Sequence, residues 1–154
     1  MELSEFKSFL EKFSFFEAGE IVLSDDKLSF NYLNRSLQKG FVYIWVEKFE
    51  STYSIVYIGK AGKTLHARFS QHKGGFNGGS VTGRKNGVLI KNGISLGKRY
   101  LIYARKSPLI EVFGEQVPSE SIEEIALIKK MNYGIVHSIQ GKYTLIVLDV
   151  YFVM

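Results

Sequence analysis

Two runs of aromatic and β-branched residues, Phe41–Val46 and Tyr53–Ile58, lie on either side of the polar segment Glu47–Thr52. Such residues suit a pleated, half-buried surface, and a short polar break between two such runs turns the chain back antiparallel to itself. A β-hairpin is therefore the nucleus of the fold. Directly after it the period changes. Beyond Gly59, Lys60, Ala61 and Gly62, the segment Lys63–Gln71 reads as a helix with Leu65 and Phe69 on one side and Thr64, Arg68 and His72 on another.

The flanking segments read as follows. Leu3, Phe6, Phe9, Leu10, Phe13 and Phe16 form the apolar stripe of an amphipathic helix over Glu2–Glu17. Its phenylalanines serve the core, with a dimer surface as the alternative use. Ile21–Leu23 and Leu28–Tyr32 read as short strands around the turn-prone pair Asp25 and Asp26, and their place in the main sheet stays open. Lys73–Gly97 holds eight of the fifteen glycines, which predicts an open basic loop with a short strand near Val88–Ile90. Lys98–Ala104 reads as a further strand. Pro118 and Ser119 introduce a helix bearing Ile122, Ile125, Ile128 and Met131 that is expected to end near Asn132–Gly134. Tyr143–Val153 is strongly β-prone and is expected to close the sheet. The fold class is α+β, a small and mainly antiparallel sheet flanked by helices, with an N-terminal helix and a C-terminal strand. At 154 residues this is expected to be one domain, with an extension over 1–40, a central module over about 41–132 and a strand extension over 133–154.

Charge is distributed unevenly. Residues 51–110 contain eleven Lys and Arg and no carboxylate, whereas 1–50 carry six basic and nine acidic residues and 111–154 carry three and six. A basic tract of this kind points to a polyanion; the alternative is a solvated face whose missing carboxylates come from neighbours in space. The chain has no cysteine, which removes disulfides, thiolate metal sites and cysteine nucleophiles and fits a reducing cytoplasm. No apolar run is long enough to span a membrane and no secretory leader is expected.

Within the basic tract, Val42-Tyr43-Ile44, then Val56-Tyr57-Ile58-Gly59-Lys60-Ala61, then Leu65-His66-Ala67-Arg68-Phe69-Ser70-Gln71-His72 resembles the GIY-YIG nuclease family in motif order and strand-turn-helix context. The second element is intact. The first departs from the pattern: it reads Phe41-Val42-Tyr43, with a glycine one place earlier at Gly40. Downstream, Glu124-Ile125-Ala126-Leu127-Ile128-Lys129, followed by Asn132, is similar to the family's glutamate-bearing helix.

That resemblance implies a metal-dependent endonuclease hydrolysing phosphodiester bonds in double-stranded DNA, similar to small stand-alone restriction enzymes. Tyr43, or failing it Tyr57, would orient or deprotonate the attacking water; a phenol is a weak base at neutral pH, so Lys60, Lys63 or His72 would have to favour the phenolate. Arg68 would lie over the scissile phosphate with paired donors. His72 would donate to the phosphate or hold the tyrosine hydroxyl. Glu124 would supply the protein carboxylate for one Mg2+ or Mn2+ ion, with waters and phosphate oxygens completing its shell; Glu120 and Glu123 compete for that role. Gly59 and Asn132 are supporting residues, Asn132 equally readable as a helix cap. Lys63, Lys73, Arg84, Lys85 and Lys91 would contact nucleic acid, with Lys60 at the catalytic centre. Two other readings stay open: an inactive nucleic-acid-binding domain on the same scaffold, and a repair or recombination nuclease selecting branched DNA by shape. Cutting palindromic sites would require a homodimer.

Overall fold

Strand β3 (Phe41–Phe49) is buried on both faces, and the other elements are layered around it. Phe41, Tyr43 and Trp45 point to one side of the sheet and Val42, Ile44 and Val46 to the other, and each set belongs to its own hydrophobic cluster. The computed structural model describes residues 1–33 and 36–138, with side chains as far as Met131 in the last helix. Its main sheet comprises β1 (Phe16–Ser24), β2 (Lys27–Tyr32), β3, β4 (Thr52–Ala61) and β5 (Arg99–Lys106) in the order β2-β1-β5-β3-β4. Every neighbouring pair is antiparallel.

Helices cover both faces. Phe6 of α1 (Leu3–Lys12) and Leu127 of α4 (Glu120–Ser138) join the Val42 side of the core. Leu65 and Phe69 of α2 (Leu65–Gly74) and Ile90 of α3 (Val81–Ser95) join the Tyr43 side. A π-helical turn over Gly75–Gly79 connects these two helices and buries Phe76 between them. Thr64 caps α2, its hydroxyl oxygen accepting from the Ala67 N–H at 3.1 Å. No helix among the described residues is long and apolar enough to cross a membrane.

The expected α+β architecture is present, with several corrections. The two strands left open over residues 21–32 belong to the main sheet, turning through Asp25 and Asp26 at φ 49° and 59°, a left-handed conformation that aspartate tolerates. Phe16 begins β1 instead of continuing α1. The hairpin break contracts to Glu50 and Ser51, because β3 runs on through Glu47–Phe49. The second helix starts two residues later than Lys63 and runs to Gly74. The segment expected to be an open loop with a strand near Val88–Ile90 is helical almost throughout, because Ser80 caps α3 and its glycines lie on the packed face. An unforeseen two-stranded ribbon, β6 (Leu109–Val112) and β7 (Glu115–Pro118), precedes α4 and turns through Phe113 and Gly114. Helix α4 continues past Asn132 to Ser138, so Asn132 is an interior helical position and not a cap. The strand expected at Tyr143–Val153 lies outside the described residues.

Candidate active site

The two strands of the central hairpin set the site's floor. Tyr43 on β3 pairs in register with Gly59 on β4, and its ring crosses the space a side chain at Gly59 would need. A Cβ there would lie 2.6 Å from the Tyr43 hydroxyl and 2.7 Å from Tyr57 Cε1, closer than atoms tolerate. Glycine at position 59 is thus the condition for Tyr43 to lie where it does. Tyr57 stacks on Tyr43 at 6.0 Å and on Trp45 at 4.2 Å between ring centroids, half-buried at the edge of the same cluster.

Helix α2 brings its polar face onto this floor. Arg68 Nε donates to the Tyr43 hydroxyl at 3.2 Å, and His72 Nε2, one turn further on, lies 2.5 Å from the same oxygen. The Arg68 guanidinium also donates from Nη1 to Gln71 Oε1 at 2.9 Å. Gln71 was not singled out from the sequence, although its spacing of three from Arg68 on a helix is the available signal. Trp45 closes the far side of the imidazole with an edge-on contact at 4.8 Å.

The electrostatics follow from burial beside a permanent cation. Desolvation, and then the charge of Arg68, lower His72 to about 3, so its ring is neutral at physiological pH. Burial raises Tyr43 well above the ordinary phenol range, Tyr57 adds to this, and Arg68 only partly opposes it. Desolvation works against the Arg68 charge but the contact with Tyr43 outweighs it, so the guanidinium is held more firmly protonated than usual.

The third contributor is α4. Glu124 is raised above the usual carboxylate range by desolvation, against the opposing pull of Lys60 and Arg68. Lys60 Nζ lies 3.5 Å from Glu124 Oε2 and donates to Ser121 Oγ at 3.1 Å. Of the competing glutamates, Glu123 is committed elsewhere: Arg105 Nη2 donates to it at 2.6 Å and the Ser107 hydroxyl holds its other oxygen. Glu120 shares Glu124's face, and its buried Oε2 has no hydrogen-bond partner among the described residues. An orphaned buried acceptor costs about 1–3 kcal/mol, and a cation or its water would satisfy it. Among the described residues no group of three or more His, Asp or Glu could enclose a metal. Of the donors present, the carboxylates of Glu124 and Glu120 could each serve as one ligand to a hard divalent ion that keeps most of its water. Asn132 is on the same helix, two turns beyond Glu124.

The basic tract is partly neutralised by the flanks. Lys60, Lys91, Lys98, Arg99 and Arg105 pair with Glu124, Asp26, Glu47, Glu20 and Glu123 respectively, which corrects the picture of a uniformly free positive segment. Lys106 donates to the Lys39 and Gly40 carbonyls. Among the described residues Lys63, Arg68, Lys73, Arg84 and Lys85 have no carboxylate in ion-pair range, and all five lie between the end of β4 and the second turn of α3. Lys91 is thus less available to a nucleic acid than its position in the sequence suggested.

No protein-family model matches the chain. Comparison with curated proteins likewise gives no match. Among solved structures, a variant of bacteriophage T4 EndoII is similar with a TM-score of 0.65 and 22% identity, over 82% of this chain and 94% of that one. A second, the restriction endonuclease HPY188I in complex with product DNA, has a TM-score of 0.47 and 20% identity, over 94% and 87% of the two chains. At this identity the likeness to EndoII is one of fold.

Proposed function

We propose that the chain is a metal-dependent endonuclease of GIY-YIG type that hydrolyses phosphodiester bonds in double-stranded DNA, 1–154 forming one domain around a catalytic module at about 41–132. The observation that carries this reading is the hydrogen-bonded group Tyr43–Arg68–His72, with Lys60, next to Gly59 on β4, paired to Glu124. The likeness in fold to bacteriophage T4 EndoII agrees with it.

Phosphodiester hydrolysis needs an oriented water, stabilisation of charge on the non-bridging oxygens, and neutralisation of the leaving oxygen. Tyr43 is held protonated by burial, so tyrosinate as a standing base is disfavoured. Its oxygen accepts from Arg68 and lies within hydrogen-bond distance of the neutral His72 Nε2, so Tyr43 would orient the attacking water through a hydroxyl held from both sides. Arg68, which bonds Tyr43 through Nε and Gln71 through Nη1 and also interacts with Tyr57, would direct its remaining guanidinium donors at the non-bridging oxygens. Tyr57, stacked on Tyr43, would offer a second hydroxyl to orient the water. Lys60, half-exposed beside Glu124, would meet a phosphate oxygen. One Mg2+ or Mn2+ ion on Glu124 would supply Lewis-acid stabilisation of the phosphate and the departing oxygen.

Relaxation of supercoiled plasmid at low salt tests this, since one nick per molecule is visible. Wild-type protein with magnesium is expected to nick or linearise DNA, and EDTA or Glu124→Ala to abolish cleavage. Cleavage that persists in EDTA, or intact plasmid with both magnesium and manganese, would overturn the assignment.

A further inference from the structure

Helix α3 is not used by the chemistry above, yet it is the most unusual helix in the molecule. Its residues 81–95 include three glycines, each costing up to about 1 kcal/mol of helix propensity relative to alanine. All three lie on the packed face. A Cβ at Gly83 would come within 2.5 Å of the Gly75 backbone, one at Gly87 within 3.2 Å of the Phe76 carbonyl, and one at Gly93 within 1.8 Å of the Tyr100 hydroxyl. The helix is therefore seated tightly against the sheet and against the turn that ends the catalytic helix α2.

Its other face is left open. Val81, Lys85, Val88 and Asn92 fall at i, i+4, i+7 and i+11, which makes one exposed stripe along the helix axis, with Arg84 beside it. Val81 and Val88 are 60% and 57% exposed. No carboxylate occurs in α3, and neither Lys85 nor Arg84 has an acidic partner among the described residues. Arg84 donates from Nη1 to the Gly78 carbonyl, which leaves the rest of its guanidinium directed outward. The centre of a protein-binding surface tends to be depleted of lysine. Here Lys85 lies within the stripe, and Lys85 and Asn92 alternate along it with methyl-bearing valines.

That alternation matches the floor of the DNA major groove. The groove is about 12 Å wide and admits an α-helix; lysine donates to guanine O6 and N7, asparagine pairs with adenine N6 and N7, and aliphatic groups contact the thymine methyl. We propose that the exposed face of α3 is a sequence-reading surface that enters the major groove, Lys85 and Asn92 meeting base edges and Val81 and Val88 meeting thymine methyls. The inference rests on the nuclease reading for its ligand class. Lys63 and Lys73, just before and on α2 and without a carboxylate partner among the described residues, would then take phosphates and position the duplex without reading it.

The test is selection from a pool of randomised duplexes using full-length Glu124→Gln protein, which is expected to bind without cutting, followed by sequencing of the bound fraction. A motif is expected. Asn92→Ala is expected to lose about tenfold or more of the discrimination at one A·T position while total affinity for unselected duplex changes about twofold or less. Lys73→Ala is expected to keep the motif, weaken all sequences alike, and reduce the slope of log affinity against log salt by about 0.9. An identical motif from wild-type α3, Asn92→Ala and Lys85→Ala would overturn the proposal, as would the absence of any motif. Plasmid relaxation by the active protein is scored separately. Relaxation without a motif defeats the reading helix alone, whereas a motif that depends on Asn92 without relaxation defeats the nuclease alone.

Discussion

Tyr43 is fully buried between a permanent cation and an imidazole kept neutral by its surroundings, and that arrangement has a thermodynamic signature independent of catalysis. His72 titrates at about 3 in the folded chain against an ordinary 6.5. Between those values the unfolded chain binds a proton that the folded chain refuses, so this contribution to stability is complete above the unfolded value and is lost progressively as pH falls from 6.5 toward 3. The slope from one such group cannot exceed about 1.4 kcal/mol per pH unit. Thermal melts of wild type and His72→Gln across this range measure it: the wild type is expected to lose stability faster on acidification than the variant. Equal slopes would mean that His72 is not buried in neutral form. The motif residues were legible because they are local: Gly59 follows Tyr57 at a fixed offset, and Arg68 and His72 lie one turn apart on one helix. Gln71 and Ser121 were not, since a glutamine or serine on a helix carries no signal until its partner is known.

At the scale of elements, the glycines of α3 decide between two physical descriptions. An exposed helical glycine replaced by alanine gains up to about 1 kcal/mol. At Gly93 the added methyl meets the buried Tyr100 hydroxyl, which itself donates to Glu47 at 2.9 Å. Gly93→Ala is therefore expected to lower the denaturation midpoint, by the roughly 1–3 kcal/mol typical of overpacking, and removing the hydroxyl in Gly93→Ala/Tyr100→Phe to recover part of it. A stabilising Gly93→Ala would show that α3 is not seated as described. The same glycines explain why this segment reads as a loop: their number suggests flexibility, and only their placement with Ile90 on one helical face reveals packing. The hairpin β3–β4 and helix α2 were readable because their periods are strong and their turns short. The ribbon β6–β7 was not, because most of its residues are exposed and no apolar alternation marks it.

Across the whole molecule, the acidic flanks and the basic centre of the chain meet in space. Asp26, Glu20 and Glu47 from the N-terminal flank and Glu123 and Glu124 from α4 each take one cation of the central tract. Those pairs tie elements distant in sequence, and the cations left over gather on the segment that carries Arg68 and α3. The sequence asymmetry thus becomes a surface asymmetry smaller than the raw count but better localised, and its location could not be read without the fold. In the proposed site three elements each supply part of one centre: Tyr43 from β3, Arg68 and His72 from α2, and Glu124 from α4, whose carboxylate pairs with Lys60 at the end of β4. Residues that act as a unit are grossly non-additive when removed together. Single-turnover plasmid nicking by Arg68→Ala, Glu124→Ala and the double variant measures this directly, with circular dichroism confirming the fold. Each single change is expected to slow nicking by about a hundredfold or more, and the double variant to be little slower than the worse single one. Wild-type rates in either single variant, or losses that multiply in the double, would contradict a shared site.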